Sequence, residues 1–120
     1  MSKFLIYDNE KLSLRSVTMK ADKEFLKYAY KKLNCDLVEF TSLTPTIDIV
    51  ADEEGLLKSP IDMNYIYDNE TERIIYLTGK LLIVGFENGD VTGLTDEQIE
   101  YIKSNVKIDT LPISIFKSLI

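Results

Sequence analysis

The stretch Gly79–Asn105 constrains the fold of this chain most, because it contains signals for a buried strand, a turn and a helix in close succession. The run Leu81–Val84 is continuously apolar and lies between Gly79 and Gly85. A short apolar run flanked by glycines predicts a strand that is buried on both faces. We therefore expect this strand to belong to the core.

The residues after this strand predict a tight turn, a short return strand and a helix. Asn88-Gly89 is the strongest two-residue signal for a type I′ turn, since both central residues of that turn need positive φ. A short strand is predicted over Asp90–Gly93. A helix is predicted over Thr95–Asn105, since Thr95 and Gln98 match the capping box, in which each side chain bonds the other residue's backbone amide.

The remaining segments predict an α+β fold. A loop with little regular structure is expected over Ile61–Arg73, and a short extended piece over Leu56–Pro60. A helix is expected to begin at Asp22 or Thr18 and to end at Leu33, with apolar residues at helical spacing. Further strands are predicted over Lys3–Tyr7, Leu12–Val17, Asp36–Thr41 and Ile47–Val50.

These elements indicate a small, mostly antiparallel sheet with the two helices Asp22–Leu33 and Thr95–Asn105 packed on one face. The 120 residues are long enough for one domain, which we place at residues 1–105. Residues 106–120 form an apolar C-terminal tail, which we expect to dock on its own core or on a partner.

Composition argues against several kinds of chemistry. The chain contains no histidine and one cysteine, Cys35, so it has no Ser-His or Cys-His pair and no intrachain disulfide. Neither a phosphate-binding loop nor a dinucleotide fingerprint is present, and we therefore expect no cofactor. The single cysteine and the short apolar run Phe4–Tyr7, too short for a signal peptide, favour a cytoplasmic protein.

Charge is distributed unevenly along the chain. Residues 39–100 contain 14 acidic and three basic residues, a net charge of −11, whereas the whole chain carries −6. This composition disfavours direct contact with nucleic acid, which needs lysine and arginine to replace counterions. The acidic segment is either a solvated surface that keeps the protein soluble or a surface directed at a basic partner.

One pentapeptide occurs twice. Ile6–Glu10 and Ile66–Glu70 have the same sequence, Ile-Tyr-Asp-Asn-Glu. Because Asp-Asn favours turns, both copies are expected to be strand ends that enter a turn. The alternative is a pair of matching acidic and aromatic patches for a symmetric partner.

The chain resembles a known family, the domain of unknown function 3846, whose members are small proteins of phage, plasmids and other mobile elements. The resemblance rests on Leu82-Ile83-Val84-Gly85, on Gly89-Asp90, on Leu94–Glu100 and on Asp52-Glu53-Glu54-Gly55 followed by Leu57 and Pro60. It runs from the first strand to about Asn105. An asparagine that usually follows the proline is missing here unless Asn64 replaces it. The resemblance implies a fold and a mobile-element origin, but no catalytic residues.

These observations predict a non-enzymatic accessory protein of a phage or mobile element that binds a basic host or phage protein through an acidic surface. One version is an inhibitor that imitates nucleic acid in the channel of a host defence nuclease. The alternatives are a divalent-metal-dependent enzyme that uses the carboxylates, and an oligomeric assembly protein that uses its C-terminal tail. The candidate partner-binding residues are Asp52, Glu53, Glu54, Asp68, Glu70, Glu72, Glu87 and Asp90.

Overall fold

The computed structural model describes residues 2–19 and 24–115. These residues form two antiparallel sheets, two α-helices and one 3-10 helix at Gly55–Lys58, and residues 113–115 are also helical. The helices are α1, Phe25–Leu33, and α2, Asp96–Asn105. The strands are β1 Ser2–Asp8, β2 Ser13–Met19, β3 Val38–Thr44, β4 Ile47–Asp52, β5 Asp62–Asp68, β6 Arg73–Leu77, β7 Leu81–Glu87, β8 Asp90–Thr92 and β9 Val106–Pro112.

The first sheet is organised around β7 and has the order β2-β1-β7-β4-β3, with β8 also paired to β7. Leu82 pairs with Ile6 of β1 on one side and with Val50 of β4 on the other. All four residues of Leu81–Val84 are 0% exposed, because both faces of the sheet are covered. The predicted strand buried on both faces is therefore confirmed.

The turn and the helix predicted after β7 are also confirmed. Asn88 and Gly89 have φ of 53° and 83° and connect β7 to β8, as a type I′ turn requires. In α2, the Thr95 hydroxyl accepts a hydrogen bond from the Gln98 amide at 3.1 Å, and the Gln98 side chain accepts one from the Thr95 amide at 2.9 Å. The capping box therefore holds the start of the helix.

The second sheet has the order β6-β5-β9 and corrects the sequence prediction for Ile61–Arg73, which does not form an irregular loop. The sequence of this segment lacks the regular alternation of apolar and polar residues that predicts a strand. The reason is that two polar residues, Asn64 and Asp68, point inward and are 0% exposed. The tyrosines Tyr65 and Tyr67 occupy the opposite, outer face. In β5, two polar side chains therefore face the core and two aromatic side chains face outward. This is the reverse of the usual pattern of a strand, so hydrophobic periodicity alone did not predict one.

Two further segments differ from their predicted structures. Leu56–Pro60, predicted as extended, lies mostly in the 3-10 helix Gly55–Lys58. Gly55 approaches Thr78 so closely that an added Cβ would lie 1.8 Å from the Thr78 hydroxyl oxygen. Residues 106–112, predicted as the start of the tail, form β9, which pairs with β5 along its whole length. Residues 116–120 lie outside the described residues.

The two helices do not share one face of the first sheet, so that part of the predicted architecture is not confirmed. Phe25, Ala29 and Leu33 of α1 pack in a cluster with alternate residues of β1, β4 and β7. Ile99 and Ile102 of α2 pack in a second cluster with the intervening residues of those strands and with the second sheet. Because successive residues of a strand point to opposite faces, α1 and α2 lie on opposite sides of the sheet.

Helix α1 begins later than the sequence suggested. Thr18 belongs to β2, and Asp22 lies outside the described residues. Asn34 ends α1 in a left-handed conformation, with φ of 52° and ψ of 56°. The helix therefore ends at Leu33, as predicted.

Candidate partner-binding surface

The first group of candidate residues, Asp52–Glu54, lies where β4 ends. One oxygen of Asp52 accepts a hydrogen bond from the Glu54 amide at 2.9 Å, and the other accepts one from Lys58 Nζ at 2.7 Å. Asp52 thus holds the following turn, and Lys58 neutralises its charge locally. Burial, followed by the charges of Glu53 and Asp52, raises the pKa of Glu39, which lies beside them. Glu53 is exposed and Glu54 is half-buried.

The second group lies at the β5–β6 turn, where Asp68 is fully buried. One oxygen of Asp68 accepts a hydrogen bond from the Glu70 amide at 3.0 Å, and the other accepts one from the Tyr101 hydroxyl at 2.7 Å. Asp68 is therefore a structural carboxylate that connects this turn to α2. Glu70 and Glu72 are exposed in the same turn and are free to face solvent or a partner.

The third group, Glu87 and Asp90, is exposed on the β7–β8 hairpin, where the two residues are paired. β4 and β7 are antiparallel, with Val50 opposite Leu82 and Ile47 opposite Gly85. This register places Glu87 and Asp52 at opposite ends of the sheet, roughly 23 Å apart at ~3.3 Å per residue. The predicted acidic residues therefore do not all converge on one surface.

An open groove of about 750 Å³ lies at the Glu87 end of the molecule. Its walls are formed by the β3–β4 turn, the β7–β8 hairpin and the start of α2. Thr71 of the β5–β6 turn also lines it. The charged lining residues are Glu87 and Glu97, and none of the described lining residues is lysine or arginine. The lining consists of Thr44, Pro45, Thr46, Ile47, Thr71, Phe86, Glu87, Thr92, Gly93, Thr95, Glu97, Gln98 and Tyr101.

The groove combines apolar surface with hydroxyl groups. Pro45, Ile47, Phe86 and Tyr101 supply apolar and aromatic surface, and five threonines supply hydroxyls. Part of this polar surface is already bonded, because Gln98 Nε2 donates to the carbonyl oxygen of Thr46 at 3.1 Å. That bond connects α2 to the β3–β4 turn at the rim of the groove.

Further acidic residues are neighbours of residues that line the groove. Glu70 and Glu72 flank Thr71 in the chain, and Asp90 is paired with Glu87. Arg73 lies nearby and lines an adjoining depression with Thr44, Pro45 and Thr71. The opposite end of the molecule differs, because Lys58 and Lys80 accompany Asp52 in a smaller depression of about 340 Å³. The charged residues that line the groove itself are therefore both carboxylates, whereas the smaller depression has lysines among its lining residues.

The residue types give little support to a reactive centre. Within residues 2–19 and 24–115, no group of three or more histidine, cysteine, aspartate or glutamate side chains is arranged to hold a metal ion. Cys35 is buried, and burial, together with the charge of Asp52, raises the pKa of its thiol. A raised pKa disfavours the thiolate that a nucleophile requires.

Sequence reasoning missed most of the groove. It selected residues by charge and therefore did not select the threonines, Phe86 or Tyr101. The acidic residue Glu97, which lies in the first turn of α2, was also not selected. A signal was present in the Thr-Pro-Thr turn at residues 44–46, but nothing local showed that this turn faces the hairpin and the helix.

Fold and surface together define a small antiparallel α+β protein with an acid-lined groove at one end. The comparison with protein families then places it: the chain belongs to the family described as Domain of unknown function (DUF3846), whose model matches residues 1–107. The family resemblance seen in the sequence is thereby confirmed. No curated protein and no solved structure shows significant similarity to the chain. No helix in the described part of the chain has the length and apolar character needed to span a membrane.

Proposed function

We propose that this is a cytoplasmic, non-enzymatic accessory protein of a phage or mobile element, and that it binds a basic segment of a partner protein in the acid-lined groove. The observation that carries the proposal is the character of the groove, which has an apolar lining and carboxylates as its charged lining groups. The family assignment itself is neutral on function, because the family has no established activity.

The groove suits an arginine or lysine side chain of the partner. The hydrocarbon stem of such a side chain packs favourably on apolar and aromatic surface, here Pro45 and Phe86. Its cationic end remains in contact with water and polar groups. Glu87 and Glu97 supply carboxylates for charge-assisted hydrogen bonds. The ring of Tyr101 adds an aromatic face that attracts cations.

The outer carboxylates extend this preference to a longer basic surface. Glu70 and Glu72 are next to Thr71 in the chain and Asp90 is paired with Glu87, so that a partner with several basic residues would be attracted before it makes close contact. A host defence nuclease, whose nucleic-acid channel is basic, is the partner class that we favour. Inhibition would then follow from occupation of that channel.

Two variants with the same change of charge test the groove. The groove variant is Glu87→Lys/Glu97→Lys, and the control variant is Glu53→Lys/Glu54→Lys at the opposite end of the sheet. The probe is a fluorescently labelled peptide of alternating arginine and glycine, and its anisotropy is measured at low salt. We expect the groove variant to weaken binding by about tenfold or more and the control variant to weaken it only slightly.

The control separates a specific site from general attraction to an acidic protein. Equal losses of affinity in the two variants would show that the peptide responds to net charge alone, and the groove would no longer be the proposed site. Rising salt is expected to weaken binding of the wild-type protein, because the carboxylates are exposed.

A further inference from the structure

The outer face of the second sheet is an exposed surface of aromatic and aliphatic side chains. Alternate residues of β5, β6 and β9 point away from the core. Tyr76 is 51% exposed, Ile74 is 46% exposed and Leu111 is 36% exposed. The residues of this face, here called the tyrosine face, are Met63, Tyr65, Tyr67, Ile74, Tyr76, Lys107, Asp109 and Leu111.

The strand pairing arranges the tyrosine face in rows across the sheet. One row contains Ile74, Tyr67 and Lys107, and the next contains Tyr76, Tyr65 and Asp109. The rings of Tyr65 and Tyr76 lie 5.7 Å apart between centroids. Each row therefore ends in one charged residue on β9, and the two charges have opposite signs.

We propose that the tyrosine face is the contact of a two-fold symmetric homodimer. A two-fold axis that lies between the two rows and runs across the strands would place Lys107 opposite Asp109 of the second copy, and Asp109 opposite its Lys107. The same operation places Tyr67 opposite Tyr65 and Ile74 opposite Tyr76. A two-fold interface must be complementary to itself, and this arrangement of charges and rings meets that condition.

Charge also favours a second copy on this face over contact elsewhere. Each copy carries a net charge of −6, so two copies repel one another wherever their acidic surfaces meet. The charges of the tyrosine face, one Lys107 and one Asp109, balance. Neither of these two exposed side chains makes an ion pair with another described residue. Tyrosine at the centre and charge at the margin is also the usual composition of a protein interface.

The size of the face limits the strength of the dimer. The three strands lie ~4.8 Å apart, and the longer two, β5 and β9, have seven residues at ~3.3 Å per residue, so the face is at most roughly 14 by 23 Å. Such a face is smaller than the ~800 Å² that each partner contributes to a standard stable interface. We therefore expect a dimer that dissociates on dilution.

A charge exchange in the full-length protein tests the proposal. Molar mass is measured by sedimentation equilibrium over an about thousandfold range of protein concentration. The fraction of dimer rises with concentration, so a rising average molar mass shows that a dimer forms. Lys107→Asp and Asp109→Lys each place like charges opposite one another, and each is expected to raise the dimer Kd by about tenfold or more. The double variant Lys107→Asp/Asp109→Lys is expected to restore dimerisation.

Controls distinguish this face from other contacts. Lys103→Asp makes the same charge change on the exposed surface of α2 and is expected to leave the dimer intact. A dimer that is insensitive to both single exchanges, or that the double exchange does not restore, would place the contact elsewhere and overturn the proposal. A wild-type protein that stays monomeric also overturns it.

Discussion

Asp68 shows how much a single buried carboxylate can organise. It is 0% exposed, it accepts a hydrogen bond from the amide of Glu70, and it accepts a second one from Tyr101 on α2. A buried polar group needs hydrogen bonds in place of those that it loses to water, and these two bonds supply them. By its sequence, Asp68 was a candidate for partner binding, yet its environment gives it a structural role.

Tyr101→Phe is predicted to lower stability and to change its dependence on pH. Burial, the hydrogen bond to Asp68 and the nearby charges raise the pKa of Tyr101 to about 12 from an ordinary 10. A raised pKa contributes stability that is present below pH 10 and lost as the pH rises to 12. Near neutral pH the variant should lose about 1–3 kcal/mol of unfolding free energy, because Asp68 loses a partner.

Denaturant unfolding of both proteins between pH 8 and 12 measures this effect. The wild-type protein is expected to lose its advantage over Tyr101→Phe as the pH rises through this range. A constant difference between the two proteins at every pH would contradict the proposed linkage.

At the scale of elements, the repeated pentapeptide forms two hairpins with the same turn. Asp8 and Asp68 each end a strand, and each accepts a hydrogen bond from the amide two residues later. Four residues then connect the strands, and the last of them has a positive φ, 52° at Leu12 and 60° at Glu72. The prediction of two strand ends that enter turns is confirmed, and local sequence is sufficient to explain it.

The two aspartates are predicted to differ in energetic importance although their turns match. Asp8→Ala removes hydrogen bonds at a solvent-accessible turn and should cost about 0.5–1.5 kcal/mol of unfolding free energy. Asp68→Ala also leaves the Tyr101 hydroxyl without its acceptor, and it should cost roughly 2–4 kcal/mol. Chemical denaturation of both variants measures the two values. Similar costs would mean that the contact with α2 contributes nothing beyond the turn itself.

At the scale of the whole molecule, a buried chain of hydrogen bonds joins the two sheets. Thr110 of β9 donates to Asn64 Oδ1 at 2.8 Å, and Tyr7 of β1 donates to the Thr110 hydroxyl at 2.7 Å. Asn64 in turn donates to the carbonyl oxygen of Gly79 at 2.7 Å. Because Asn64 is fully buried and Tyr7 is 4% exposed, this network also fixes how the sheets pack.

Thr110→Val is therefore predicted to be costly although it hardly changes the shape of the side chain. The variant leaves Tyr7 and Asn64 each without one buried partner, so we expect a loss of roughly 2–5 kcal/mol. Thr18→Val, at an exposed position of β2, is the matched control and should change stability by less than about 0.5 kcal/mol. Thermal and denaturant unfolding check both variants. Equal losses of unfolding free energy in the two variants would show that the hydrogen-bond network does not contribute to stability.

The sequence predicted the parts of the fold that have strong local signals. Leu81–Val84, the Asn88-Gly89 turn and the capping box of α2 are all where they were expected, because neighbouring residues alone produce these structures. The strand β5 was missed, since its inward residues Asn64 and Asp68 are polar. Their partners, Thr110 and Tyr101, lie more than 30 residues away in the chain, and no local pattern shows them.

What the sequence determined by itself was the group of elements with strong local signals, the acidic composition and the family. Only the tertiary structure decided that α1 and α2 lie on opposite sides of the first sheet, and that residues 106–112 pair with β5. It also separated Asp52 from Glu87 and brought Glu97 and Thr71 to the groove. The physical reason is that strand pairing and burial act between residues distant in the chain, whereas turns and helix caps depend on neighbours.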